Sequence, residues 1–237
     1  ISEKINANGF KVSVSGTSAD EIFTGYYDHY NLHLYEMRNH KDFRIHLKNW
    51  EEFILPRIRN PFLKDPMYYF KNQTARFHNH LNSDIFLSFM YENFKTKIKE
   101  RVYTKSLLRN RMINELLHEV TPVILHEDDL NSMSNSIENR SPYLDIDLVE
   151  FCHSIPSSYL IKNGYSKFIL RDSVKNILND KVRLDRRKKG FNASIRSLFD
   201  FSKKNSVDYF LSDSPIFDIF KKEKIALLLK KDYIQNS

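Results

Sequence analysis

The stretch Lys11 to Ser15 (KVSVS) alternates with a period of two and carries valines at 12 and 14, the mark of a short β-strand. Beyond Gly25 the apolar spacing is helical almost throughout. A lone strand leaves backbone donors and acceptors unpaired along both edges, so partner strands are required, and they are expected upstream of this sequence. The strand runs into Ser15-Gly16-Thr17-Ser18-Ala19-Asp20-Glu21 and then Ile22 and Phe23, which makes a strand, turn, helix unit. Ser18 followed three residues later by Glu21 has the spacing of a capping box, so a helix is expected to start there.

Helical periodicity predicts elements over Asp28 to Met37, Lys41 to Phe53, Ser83 to Lys99 and Thr104 to Val120. Pro56, Pro61 and Pro66 interrupt the chain between the second and third, and Pro122, Pro142 and Pro156 bound later elements. Ser166 to Leu178 reads as an amphipathic helix capped by Ser166 behind Gly164. After a turn at Lys189-Gly190-Phe191, helices over Ser194 to Phe210 and Phe220 to Leu229 close the chain. The opening run Ile1 to Phe10 has no helix-start pattern and no initiating methionine, so the chain reads as a piece of a longer protein.

Composition narrows the function classes. With 41% hydrophobic and 14% aromatic residues in 237, one or two domains with a real core are within reach. A mean hydropathy of −0.53 and 28% charged residues leave no apolar window long enough for a membrane span. One cysteine, Cys152, excludes an internal disulfide, and no signal-peptide pattern opens the chain, so a cytoplasmic location is expected. Cys152 sits in the apolar run Leu148 to Ile155 and reads as a buried small hydrophobe.

The net charge of +7 is local. Between Lys162 and Lys189 ten basic residues face three acidic ones, and the rest of the chain balances 27 against 27. An anionic partner would be met by this stretch, and a local patch suits a phosphate ligand as well as a polynucleotide.

Three constellations carry chemistry, each with a structural alternative. The Ser15 to Glu21 turn offers small hydroxyls and free N–H groups at the end of a strand, as phosphate binding needs, or it merely caps a helix. Asp128 to Met133 leads to Glu138, Arg140 and Asp145 around Pro142, which forms either a polar wall of a site or a loop ion pair. Lys167 and Arg171 stand at i and i+4 with Lys175 beyond. Lys167 is expected in the first turn of its helix, where a cation opposes the helix dipole unless an anion offsets it; the alternative is a solvated cationic face. His29 and His33 have helical metal-pair spacing, but no glutamate follows His29 as a zincin motif requires. His78 and His80 have no third ligand in sequence reach, so no metal role is expected for these histidines.

Taken in order, three blocks resemble the C-terminal synthetase domain of the glutamine-hydrolysing asparagine synthetase family. SGTSADEIFTGYY at Ser15 to Tyr27 is similar to that family's Ser-Gly-x-Gly-x-Asp-Glu-x-Phe-x-Gly-Gly-Tyr. SMSNSIENRSPYLDIDLVEFCHSIP at Ser132 to Pro156 is similar to its Ser-Met-Ala-x-x-x-Glu-x-Arg-x-Pro-Phe-Leu-Asp and the following helix. Ser166-Lys-Phe-Ile-Leu-Arg171 and Arg187-Lys-Lys-Gly-Phe191 resemble its Lys-x-x-Leu-Arg and Arg-x-Lys-x-Gly-Phe. Four of the five glycines (16, 25, 164, 190) fall in or beside these blocks.

The resemblance implies an α/β fold: residues 1–237 as the C-terminal part of a pyrophosphatase-loop ATPase domain (adenine nucleotide alpha-hydrolase-like), mostly helical in this piece. It implies ATP and Mg²⁺ as cofactors, and adenylation of a side-chain carboxylate followed by attack of ammonia. Partners would be aspartate or another carboxylate and ammonia from a glutaminase domain, with a homodimer as a further option and neither nucleic acid nor membrane. By position, Ser15, Gly16, Thr17 and Lys188 would bind the nucleotide, Asp20 would serve the Mg²⁺-pyrophosphate side, Lys167 would be the catalytic lysine, and Glu138 and Arg140 would brace the pocket.

The family's Ser-Gly-Gly-x-Asp-Ser loop and glutaminase domain are absent from these residues, so the piece is expected to be inactive alone. Thr17 stands where relatives commonly carry glutamate, and Leu130 where many carry arginine. Alternatives are therefore a related ligase that amidates another carboxylate, closes a lactam, cyclises a peptide or amidates a sugar, and a degenerate non-catalytic module. A third is a nucleic-acid binder acting through Lys162 to Lys189.

Overall fold

The computed structural model describes residues 1–79, 83–92, 99–187 and 199–230. The chain divides into two compact units, residues 1–78 with 99–187 and residues 79–98 with 188–237.

In the first unit the strand Val12–Val14 (β1) forms where its alternation predicts. Its partner lies in this chain: Glu138–Arg140 (β2) pairs with it in parallel, Val12 opposite Glu138, Ser13 opposite Asn139 and Val14 opposite Arg140. The expectation of upstream partners alone is thus corrected. Because side chains alternate across a strand, Val12, Val14, Glu138 and Arg140 share one face and Ser13 and Asn139 the other. The valine face is the open one, with Val12 42% and Val14 70% exposed. The polar face is half-buried, and on it Ser13 Oγ donates to Asn139 Oδ1 at 3.0 Å.

The turn after β1 leads into helix Ala19–Phe23, but not through a capping box. Ser18 takes the left-handed conformation, φ +73°, makes no cap bond, and its hydroxyl lies 3.0 Å from Thr121 Oγ1. Glu21 instead accepts from the Tyr26 hydroxyl at 2.5 Å. Helices Tyr27–Glu36 and Phe43–Phe53 follow as expected, and helix Leu107–Asn114 continues into a wider turn over Glu115–Glu119. Pro122 bounds an element as expected, at its start. It occupies the first turn of helix Thr121–Met133, where its missing N–H costs nothing. Ile1 to Phe10, read as lacking a helix start, contains the short helix Ser2–Ala7, which buries no residue and has no side-chain cap.

Two apolar clusters hold this unit. Leu32, Trp50, Tyr69, Leu108, Met112 and Leu160 centre the larger one, and Ile22, Phe23, Leu116, Cys152 and Ile155 the smaller. Each such fully buried large side chain contributes about 1.5–3 kcal/mol of transfer free energy. Trp50 Nε1 donates to Asn31 Oδ1 at 3.0 Å, and Asn31 Nδ2 donates to the Leu63 and Asp65 carbonyls, so the Trp50 and Asn31 side chains are paired inside the larger core, whereas the Tyr68 and Tyr69 hydroxyls are buried there without a hydrogen-bond partner among the described residues. Cys152 is fully buried as expected, and burial pushes its thiol up to about 11. Gly164 has φ +72°, and a Cβ there would lie 2.5 Å from Phe53 Cδ2, so both its backbone and its packing select glycine.

In the second unit, Met90 and Phe220 form an antiparallel bridge. The Phe86 and Phe220 rings meet edge to face at 5.7 Å, and helices Ser83–Ser88, Lys204–Phe210 and Lys222–Lys230 stand within it. The helix expected to reach Lys99 ends at Ser88. No helix of the described residues is long and apolar enough to cross a membrane.

Candidate active site

The carboxyl ends of parallel strands are where ligands bind in open α/β sheets. Here those ends carry a cluster of short polar side chains. Ser15 N donates to the Arg140 carbonyl at 2.9 Å, which extends the ladder by one residue and brings Ser15 beside Ser141. The Ser15 hydroxyl lies 3.0 Å from Thr17 Oγ1 and 3.1 Å from Ser141 Oγ. Thr17 Oγ1 donates to Asp128 Oδ2 at 3.3 Å, and Asn139 Nδ2 reaches the same oxygen at 3.4 Å. At Gly16 the direction a Cβ would take meets nothing within 4 Å.

Beside this cluster the turn holds Asp20, whose Oδ1 lies 2.7 Å from Lys167 Nζ; the side chains are 34% and 26% exposed. Lys167 is not in the first turn of a long helix. It is the N-cap residue of the six-residue helix Phe168–Ser173, with φ +53°, and its backbone N lies 3.5 Å from Thr24 Oγ1. The conflict with the helix dipole is thereby reduced, since the lysine side chain turns to Asp20. Thr24 is itself fully buried at φ +70°, ψ +121°, a conformation that costs a β-branched residue strain.

Behind this wall lies a buried ionic layer. Arg111 Nη1 donates to Asp28 Oδ2 at 2.7 Å, and His29 Nε2 lies 2.7 Å from Glu115 Oε2. Arg111 and Arg76 both reach Glu100, and Arg76 also pairs with Glu119. Burial alone would raise the Asp28 carboxyl, but the hydrogen bond from His78 and the charges of His29 and Arg111 hold it well below the carboxylate range. Burial likewise works against a charged His29, yet the Glu115 carboxylate outweighs it and raises the imidazole. Asp28, His29 and Glu115 are the trio of ligand atoms within 4.8 Å of one another among the described residues, but the Arg111 guanidinium already occupies Asp28. Asp20 belongs to no such trio among the described residues.

The remaining expected site residues are placed as follows. Glu138 and Arg140 pair with each other at 2.9 Å on the outer face of β2, 59% and 62% exposed, away from Asn139 and the hydroxyl cluster. Lys188 lies outside the described residues, as do Lys189, Gly190 and Phe191. Much of the basic stretch is engaged locally. Arg171 Nε donates to the Ser166 carbonyl at 2.9 Å, and Arg183 and Arg187 pair with Asp180 and Asp185. Arg186 lies 3.9 Å over the Tyr165 ring and 4.2 Å over Phe53. A shallow cleft lined by Tyr30, His33, Trp50, Lys162 and Gly164 contains none of the expected site residues. Its His33 Nε2 donates to the Ser157 carbonyl at 3.0 Å, and burial pushes its pKa down to about 3, so the ring is neutral.

The stretch from Asp128 to Asp145 reads in sequence as a wall of the site, but the residues that supply it are Asp128, Asn139 and Ser141, not Glu138 and Arg140. The available signal was Asn139 between Glu138 and Arg140, a polar residue on the inner face of a strand, but no β-branched residue marks that strand.

The asparagine synthase family model matches residues 1–236. Among curated proteins, the chain is 31% identical to asparagine synthetase [glutamine-hydrolyzing] 1 of Bacillus subtilis (strain 168) over 111 residues, 47% of this chain and 16% of that protein. It is 22% identical over 216 residues to the amidase chyE of Penicillium rubens, covering 77% of this chain and 32% of that protein. The matches therefore span less than a third of either relative's length. With the Ser15–Thr17 pair at the strand end and the Asp20–Lys167 pair at the helix that follows, a family model matched over nearly the full length leads to one conclusion: this chain belongs to the asparagine synthase family.

Proposed function

We propose that the protein containing this chain is an ATP-dependent carbon–nitrogen ligase that activates a carboxylate as an acyl-adenylate and transfers it to ammonia, with aspartate as the carboxylate and asparagine as the product. Residues 1–237 form the C-terminal part of its synthetase domain, and glutamine hydrolysed in another domain supplies the ammonia. The observation that carries the reading is the 2.7 Å pair between Asp20 and Lys167. It joins the first and third sequence blocks next to a hydroxyl-lined strand end. Adenylation builds negative charge on departing pyrophosphate, and a fixed lysine is the group that stabilises such charge.

Among the described residues, Asp20, which here pairs with Lys167, is the carboxylate that would hold a Mg²⁺ ion. Mg²⁺ is commonly held by one or two carboxylates plus phosphate oxygens, and Asp20 supplies one half-exposed carboxylate at the turn. When bound, the ion would neutralise phosphate charge; Lys167 would orient the phosphate chain, and Ser15 and the open backbone at Gly16 would donate to it. A second reading, amidation of a different carboxylate, is favoured by Thr17 and by the longer stretch matched to chyE.

The test is product analysis on the intact protein with aspartate and either glutamine or ammonium. AMP, pyrophosphate and asparagine are expected. ADP and phosphate would remove the adenylation step, and AMP formation with another carboxylate alone would favour the second reading.

A further inference from the structure

Asp128 projects from helix Thr121–Met133 to the carboxyl ends of β1 and β2. Its Oδ2 accepts from Thr17 Oγ1 at 3.3 Å and Asn139 Nδ2 at 3.4 Å. Asn139 is fixed from its other side by Ser13, and Thr17 by Ser15. All of these partners are neutral, and among the described residues Asp128 has no salt-bridge partner, unlike Asp20, Asp28, Glu100 and Glu115. Two long hydrogen bonds leave most of the acceptor capacity of a carboxylate unused. A half-buried carboxylate held in place by hydroxyls and an amide, with its charge uncompensated, is built to receive a cationic or N–H-rich ligand.

Resting on the amide-ligase reading, we propose that Asp128 receives the attacking ammonia and takes a proton from it. The nitrogen lone pair forms the C–N bond to the acyl carbon. The C–O bond of the acyl-adenylate breaks, and its electron pair leaves on the AMP phosphate oxygen. One proton passes from the nitrogen, cationic once the bond has formed, to the Asp128 carboxylate and from there to solvent. Thr17 orients the carboxylate through its hydroxyl, so a site with threonine at this position still presents an acid.

The experiment uses the intact protein and compares wild type with Asp128→Asn and Asp128→Glu. Three readouts are taken: ATP–pyrophosphate exchange with aspartate or, from a panel of amino acids, whichever supports it best; amide formation from ammonium across roughly pH 6 to 9; and hydroxamate formation from hydroxylamine, which is neutral and strongly nucleophilic at neutral pH. Asp128→Asn is expected to leave exchange within about 2-fold while lowering amide formation by about 10²-fold, within the range a positioned base supplies. Hydroxamate formation should fall far less, and Asp128→Glu should recover part of the amide rate. Wild-type amide formation by Asp128→Asn overturns the proposal while leaving the ligase reading intact. A parallel loss of exchange, amide formation and melting temperature also overturns it, in favour of a structural role. Absence of exchange in the wild type with every amino acid removes the ligase reading and this inference with it.

Discussion

A Cβ at position 25 would fall 1.4 Å from Asp20 Oδ1 and 2.6 Å from Asp20 Cβ, so Gly25 is the surface on which the Asp20 side chain rests. Asp20 is on the helix Ala19–Phe23, and its own Cβ cannot swing away without a backbone shift. Gly25→Ala should therefore separate Asp20 from Lys167 and lower turnover of the intact protein by about 10²-fold, the scale of an ångström-sized misplacement. Far-UV circular dichroism should hardly change. Steady-state kinetics near the wild-type values would show that the Asp20 position does not matter to the reaction.

Lys167 allows charge and backbone to be separated. Lys167→Ala should lower kcat by roughly 10²-fold, because a cation aimed at phosphate charge acts mainly in the transition state. Lys167→Gly should lose as much activity yet be more stable than the alanine variant by about 1 kcal/mol, since φ +53° is disfavoured for any residue with a Cβ. Urea titration of both variants supplies the comparison, and equal midpoints would contradict the left-handed cap.

Arg111 is 3% exposed and carries the charge opposite buried Asp28. Truncation to alanine removes the guanidinium shared by Asp28 and Glu100 and leaves buried Asp28 with His78 and His29 alone among the described residues, and breaking one side of a buried pair costs about 3–5 kcal/mol. Chemical denaturation of Arg111→Ala is expected to show a loss of that size. A loss below about 1 kcal/mol, the level of a surface pair, would mean that the pair is not desolvated in solution.

The pH dependence of stability follows from His29. Its folded-state pKa is raised by Glu115 above the unfolded value of about 6.5, so its contribution is complete below that value and disappears as pH climbs through the folded pKa. Wild-type melting temperature should fall from near neutral into alkaline pH, and His29→Gln should be less stable at low pH with that fall reduced. A His29→Gln curve parallel to wild type would locate the alkaline loss elsewhere. Asp28 acts in the opposite direction: its lowered pKa contributes above the ordinary carboxylate range and is lost only as acid drives the pH down through the folded value.

Local pattern alone determined the strand at Val12–Val14, the helices Tyr27–Glu36 and Phe43–Phe53, the burial of Cys152 and the positions of the three sequence blocks. These depend on alternation or helical spacing within one segment, which a sequence displays directly. Tertiary structure decided the rest. Glu138–Arg140 becomes a strand because Val12–Val14 supplies its hydrogen-bond partners, although nothing in Glu-Asn-Arg favours an extended chain. Ser18 abandons the capping box because its hydroxyl meets Thr121, and Lys167 leaves its helix dipole for Asp20. Asp128 joins Thr17 because a parallel pairing brings Asn139 and helix Thr121–Met133 to the same strand end. Each of these contacts joins residues that are remote along the chain, and periodicity records which face of an element is buried but carries no information about which distant side chain it will meet.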